Sequence, residues 1–178
     1  MTVGRVLREF LTVLSDTVLA YGGRVEKYLG DGLMAFFDGS QLRSRDATYA
    51  VRCARAMTNA IAEWNEGHGW LDEEAIKIAI GIHTGRVIVG AVGSDSRQEM
   101  AVFGDTVNIA SRVEGKCRCL DAAILVTSQV KEKLCREGSV TMMAGFVNHG
   151  FQELRGRAGY VHLHGLPRSF ERHGAADC

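Results

Sequence analysis

Four side chains have the types and spacing to do chemistry together. Asp31 stands between Gly30 and Gly32, at the break between two short apolar runs. A carboxylate at a bare, glycine-flanked turn lets a ligand approach the backbone closely, and its hard oxygens suit Mg²⁺. The same Asp-Gly pair is also what a tight turn requires for itself. Lys27 lies four residues earlier. Even spacing on a strand shares a face, so Lys27 points the same way as the residues nearest the turn. Asn108 and Arg112 are also four apart, on a helical stretch whose apolar stripe is Val107, Ile109, Ala110 and Val113. They fall together one turn from each other on the opposite face. An amide and a guanidinium close to a helix start, after Gly104, suit a polar, phosphate-bearing ligand. Asp105 reads as the N-cap of that helix. Each group, taken alone, also fits an ordinary solvated surface.

The elements that must position these groups can be read from periodicity. Apolar residues Val3, Val6, Leu7, Phe10, Leu11, Leu14 and Val18 recur at three and four, which predicts a helix over residues 3–21 ended by Gly22-Gly23. Residues 24–29 and 33–37 predict strands joined across Gly30-Asp31-Gly32, a strong hairpin signal. A second helix is expected over residues 45–64 and a loop over 66–74. Residues 76–83 and 86–92 are expected to form another hairpin around Thr84-Gly85, and 94–99 a polar excursion. A short strand, 100–103, should lead into a helix over 106–116, followed by a strand at 123–126 and a helix capped by Ser128. Strands near 151–154 and 160–166, joined at Gly156-Arg157, close the domain. Hairpins interleaved with helices, without strict βαβ alternation, indicate an α+β fold with a sheet covered by helices on one face. Residues 1–166 read as one domain and 167–178 as a frayed tail.

Composition excludes several classes. The chain has 178 residues, 46% hydrophobic and 24% charged, with 21 Lys+Arg against 21 Asp+Glu. That balance fits a globular domain and offers no bulk basic charge for nucleic acid or an anionic membrane surface. No apolar run approaches the roughly 18 residues of a membrane helix. The five cysteines are an odd set, and Cys117-x-Cys119 lacks a second ligand pair, so reduced thiols are expected. His162 and His164 read as solvated residues on an edge strand, His83 as shaping a turn, and Met142-Met143 as packing.

In order and spacing, three stretches resemble the catalytic domain of class III nucleotidyl cyclases (adenylyl and guanylyl cyclases). They are residues 22–35 around Lys27-Tyr28-Leu29-Gly30-Asp31-Gly32, then Gly81-Ile82-His83-Thr84-Gly85 with residues 89–93, and then residues 103–112, from Phe103-Gly104-Asp105-Thr106 to Ser111-Arg112. The likeness covers residues 3–166. It implies a ferredoxin-like core and a head-to-tail homodimer with its sites between the chains. It also implies a reaction in which the ribose 3′-hydroxyl of a nucleoside triphosphate attacks its own α-phosphate and pyrophosphate leaves. By the same match Asp31 is one of two metal-binding aspartates, and Lys27 selects the purine, lysine being the adenine-type choice. Asn108 orients the ribose, Arg112 faces the phosphates, and Arg157 or, equally, Arg155 binds the triphosphate. Two ions, Mg²⁺ or Mn²⁺, are implied.

The sequence departs from the family's pattern twice. The family's first metal aspartate lies on a strand before the opening helix, and Met1 falls inside that region; Asp38 is too far along its strand to replace it. The expectation is therefore a piece of a longer cyclase, with little activity by itself. The family's other purine-selecting position is Ala101, whose methyl group cannot hydrogen-bond a base, so ATP is expected ahead of GTP with loose discrimination. Taken together, the expectation is a cytoplasmic adenylyl cyclase domain, which could be the cytosolic part of a membrane-attached protein. It would be a homodimer driven by a regulatory or sensor region outside this chain, with no nucleic acid or membrane contact. The alternative is a catalytically silent, cyclase-like dimerisation or nucleotide-binding module.

Overall fold

A computed structural model describes residues 2–71, 74–94, 97–156 and 159–168. Helix α1 (Val3–Ala20) packs Phe10, Leu14 and Val18 inward. It stops at Gly22, whose φ of 75° only glycine adopts readily, and the Gly23 N–H donates to the Val18 carbonyl 2.9 Å away, closing the last turn. Strands β1 (Arg24–Leu29) and β2 (Gly32–Phe36) form the expected antiparallel hairpin. Helix α2 (Asp46–Gly67) follows and lies against α1. Its start is held by Glu137, whose carboxylate accepts the Ala47 and Thr48 N–H groups at 3.2 and 2.7 Å, placing negative charge where helix donors are unsatisfied.

Next come β3 (Ile80–Ile82), β4 (Ile88–Ser94), β5 (Arg97–Phe103), α3 (Asp105–Glu114), β6 (Ala122–Thr127) and α4 (Ser128–Arg136). A short 3₁₀ turn, Val140–Met143, precedes β7 (Val147–Glu153) and β8 (Tyr160–Pro167). The central sheet has the order β3-β6-β8-β7, with β3 parallel to β6 and the other pairs antiparallel. The β1-β2 and β4-β5 pairs are separate two-stranded ribbons. The expected hairpin between β3 and β4 does not form. Instead, His83 Nδ1 sits 2.8 Å from Thr127 Oγ1, and a Cβ on Gly85 would meet Thr106 Oγ1 at 2.5 Å. These contacts draw the connection toward β6 and α3, and β4 pairs with β5 over the stretch expected to be a polar excursion.

Alternation along β6 separates two layers. Ile124 and Val126 pack with Val51 of α2 and Val130 and Leu134 of α4, whereas Leu125 packs with Ile109 and Val113 of α3. Thus α2 and α4 cover one face of the central sheet and α3 the other, while α1 packs against α2 and the β1-β2 ribbon. Met142 and Met143 pack against the α2–α4 layer, as expected.

Candidate functional site

The Lys27 end of the candidate site starts with an irregularity. In the β1-β2 ladder Val25 pairs with Ala35, but Lys27 pairs with Met34, so Glu26 is an extra, bulged residue. Val25, Leu33 and Ala35 pack toward α1. Without the bulge, Lys27 would share the face of Val25; with it, Lys27 lies beside Met34 on the open face, and its side chain is exposed. The Glu26 carboxylate turns to β5, where Oε1 accepts the Val102 N–H at 2.9 Å. That bond brings Lys27 and Ala101, on different ribbons, to neighbouring strands.

From Ala101 the chain runs directly into α3 through Gly104, whose φ of 142° is a glycine conformation. A Cβ there would lie 3.2 Å from the Arg86 carbonyl oxygen, to which Thr106 Oγ1 donates at 2.7 Å. Helix α3 begins at Asp105, so Gly104, not Asp105, occupies the cap position; Asp105 instead adds negative charge to the first turn. The far end of α3 rests on β3 so closely that a Cβ on Gly81 would stand 2.2 Å from the Glu114 backbone nitrogen and 2.6 Å from the Ala110 carbonyl oxygen. Asn108 is exposed and Arg112 half-buried. The Arg112 guanidinium lies 3.8 Å from where a Gly156 Cβ would be, beside the turn between β7 and β8. Arg155 is exposed in that turn, and Arg157 falls outside the described residues.

Asp31 stands exposed at the tip of the β1-β2 hairpin, after Gly30 with φ 65°. Burial, and then the Asp31 charge, push the Glu114 carboxyl above its ordinary range. Among the described residues the side chains of Lys27, Asp31, Asn108 and Arg112 have no hydrogen-bond or ion-pair partner, and no group of three or more His, Cys, Asp or Glu side chains could hold a metal ion. A hydrated Mg²⁺ is commonly held by one or two carboxylates plus substrate phosphates. Asp31 could supply one such carboxylate; a pair of ions needs further donors.

Several expectations away from the site change. Strand β8 lies inside the sheet, and His164 is 5% exposed, near Ser128. Ser128 does not cap α4, because its hydroxyl sits 2.6 Å from His162 Nδ1 and the cap position belongs to Thr127. The described cysteines are free, and burial pushes the Cys53 and Cys117 thiols up to about 12 and about 11. Among the described residues no helix is long and apolar enough to cross a membrane. Sequence reasoning missed Glu26 and Glu114, since neither a bulge nor a tertiary charge contact has a local pattern.

Known proteins are similar to this chain in sequence and in fold. The family model for the adenylate and guanylate cyclase catalytic domain matches residues 1–165. An adenylate cyclase of Anabaena cylindrica is 34% identical over 134 residues, 73% of this chain and 26% of that protein. Adenylate cyclase 1 of Rhizobium meliloti is 31% identical over 125 residues, 70% of this chain and 19% of that protein. The chain therefore spans about a quarter or less of these curated relatives. Among solved structures, the adenylyl cyclase CyaB from P. aeruginosa superposes with a TM-score of 0.75 at 25% identity, covering 92% of this chain and 81% of that one. A guanylyl cyclase superposes with a TM-score of 0.72, also at 25% identity, covering 91% and 78%. With the sequence motifs, the fold and the family model in agreement, this chain belongs to the adenylate and guanylate cyclase catalytic domain family.

Proposed function

We propose that the domain converts ATP to cyclic AMP and pyrophosphate at sites shared between two copies of the chain. The observation that supports this most is the order of groups along one path. Lys27 and Ala101 come first, held together through Glu26 and Val102; Asn108 and then Arg112 follow on α3, with Arg112 beside the Gly156 turn. Asn108 and Arg112 are one helical turn apart, about 6 Å along the axis. A purine, a ribose and a triphosphate follow one another in the same order.

In this reading Lys27 binds the base, Asn108 holds the ribose so that its 3′-oxygen lies in line with the α-phosphorus, and Arg112 meets the charge on the phosphate oxygens. The new 3′-oxygen-to-phosphorus bond forms as the bond to the pyrophosphate oxygen breaks, and the hydroxyl proton passes to solvent. Such a transfer asks the protein for positioning and positive charge, and a planar guanidinium suits the spread charge better than an ammonium would. When bound by Asp31 and the triphosphate, Mg²⁺ or Mn²⁺ supplies activation of the attacking oxygen and neutralisation of the leaving group. Two ions complete the proposal, with a further ligand from the upstream strand that the family resemblance implies. Exposed apolar side chains on the ribbons, Tyr28, Leu29, Ile88, Val89 and Phe103, offer the surface for the second copy.

The test is cyclic AMP and cyclic GMP formation from ATP and GTP with Mn²⁺, using the chain together with any residues encoded before Met1. Cyclic AMP should predominate, and Asp31→Ala should lower it by on the order of a hundredfold or more while circular dichroism stays unchanged. An Asp31→Ala variant with full activity would remove the metal assignment. A chain that binds ATP but never turns it over would be the silent regulatory module.

A further inference from the structure

We propose that Glu26 is a positioning residue for nucleotide choice, acting on both halves of the base pocket at once. This rests on the cyclase reading above and goes beyond it, because Glu26 itself touches neither base nor phosphate there. Two independent features of the structure carry it. The first is the bulge: the jump in register from Val25–Ala35 to Lys27–Met34 leaves Glu26 without a ladder partner and moves Lys27 from the α1 face to the open face. The second is the bond from the Val102 N–H to Glu26 Oε1, at 2.9 Å. Val102 is 6% exposed and directly follows Ala101, so a charged acceptor fixes the strand at the position facing the base.

Ala101 makes this fixing more consequential. Its methyl group offers no hydrogen bond, so base choice depends on where Lys27 and the β5 backbone stand relative to each other. Glu26 sets that relation from its place between them, since its neighbour in sequence is Lys27 and its hydrogen-bond donor is the neighbour of Ala101. A loosened β5 would leave Lys27 exposed but no longer opposed by a fixed backbone wall, and ATP and GTP would be bound more alike.

The experiment compares wild type, Glu26→Ala and Glu26→Gln by amide hydrogen exchange and by titration with 3′-deoxy-ATP and 3′-deoxy-GTP in Mn²⁺. Glu26→Ala should speed exchange at Val102 while β6 and β8 amides stay protected. It should also weaken the ATP analogue roughly tenfold, as loss of a charge-assisted bond does, and bring the ATP-to-GTP preference close to parity. Glu26→Gln keeps an acceptor oxygen and should restore both protection and preference to within roughly twofold. The proposal is overturned if the preference is unchanged in Glu26→Ala, or if Glu26→Gln behaves like Glu26→Ala. A wild type with a protected Val102 amide that binds neither analogue would instead bring down the cyclase reading, and the role in nucleotide choice with it.

Discussion

At the scale of single residues, the proposed site is a set of polar side chains with no hydrogen-bond or ion-pair partner among the described residues, while similar groups elsewhere are closely engaged. Glu137 meets the start of α2, and Lys133 lies 2.5 Å from Asp46. His164 shows how burial acts on a titratable group in the same sheet. Burial, then the charges of Lys131, His162 and His149, hold its pKa below the ordinary 6.5. The unfolded chain therefore takes up this proton near pH 6.5 while the folded chain resists it, so stability contributed by neutral His164 is present above that pH and lost as pH falls below it. Thermal unfolding should thus occur at lower temperature at about pH 5.5 than at about pH 7.5, and His164→Gln should flatten that difference. An equally steep pH dependence in the variant would show that another group is responsible.

At the scale of elements, α3 is the part most tightly specified by packing. Gly81 lets its backbone lie directly on β3, and any side chain there meets the Glu114 and Ala110 backbone, which cannot turn aside. Gly81→Ala should cost about 1–3 kcal/mol in urea unfolding and displace Asn108 and Arg112 with the helix. An unchanged midpoint would mean that α3 settles elsewhere without loss. The sequence made the local elements legible. The Asp-Gly hairpin and the stripes of α1, α2 and α3 follow from contacts within a few residues. The pairing of β3 was not legible, because a parallel partner more than forty residues away leaves no local pattern. Thr84-Gly85 looked like a turn between strands, yet Gly85 is there for the approach of Thr106. The proposed site residues Lys27, Asp31, Asn108 and Arg112 rest on residue types that recur in motif order in the sequence. Glu26 was not legible there, because a bulge is decided by tertiary register.

At the scale of the whole molecule, three polar clusters follow one another: the tip of the β1-β2 hairpin with Asp31, the β1 and β5 strands of Lys27 and Ala101, and α3 with the Gly156 turn. In the dimer proposed above, a second copy covers the apolar residues exposed on both ribbons and brings the Asp31 of one chain to the Arg112 of the other. Mixing two crippled variants tests this most directly. Asp31→Ala and Arg112→Ala should each lose Mn²⁺-dependent binding of 3′-deoxy-ATP. After the two are exchanged into mixed dimers, half of the dimers carry one intact site, so binding should return to roughly a quarter of the wild-type sites. No recovery, with mixed dimers demonstrably formed, would contradict a site built from two copies.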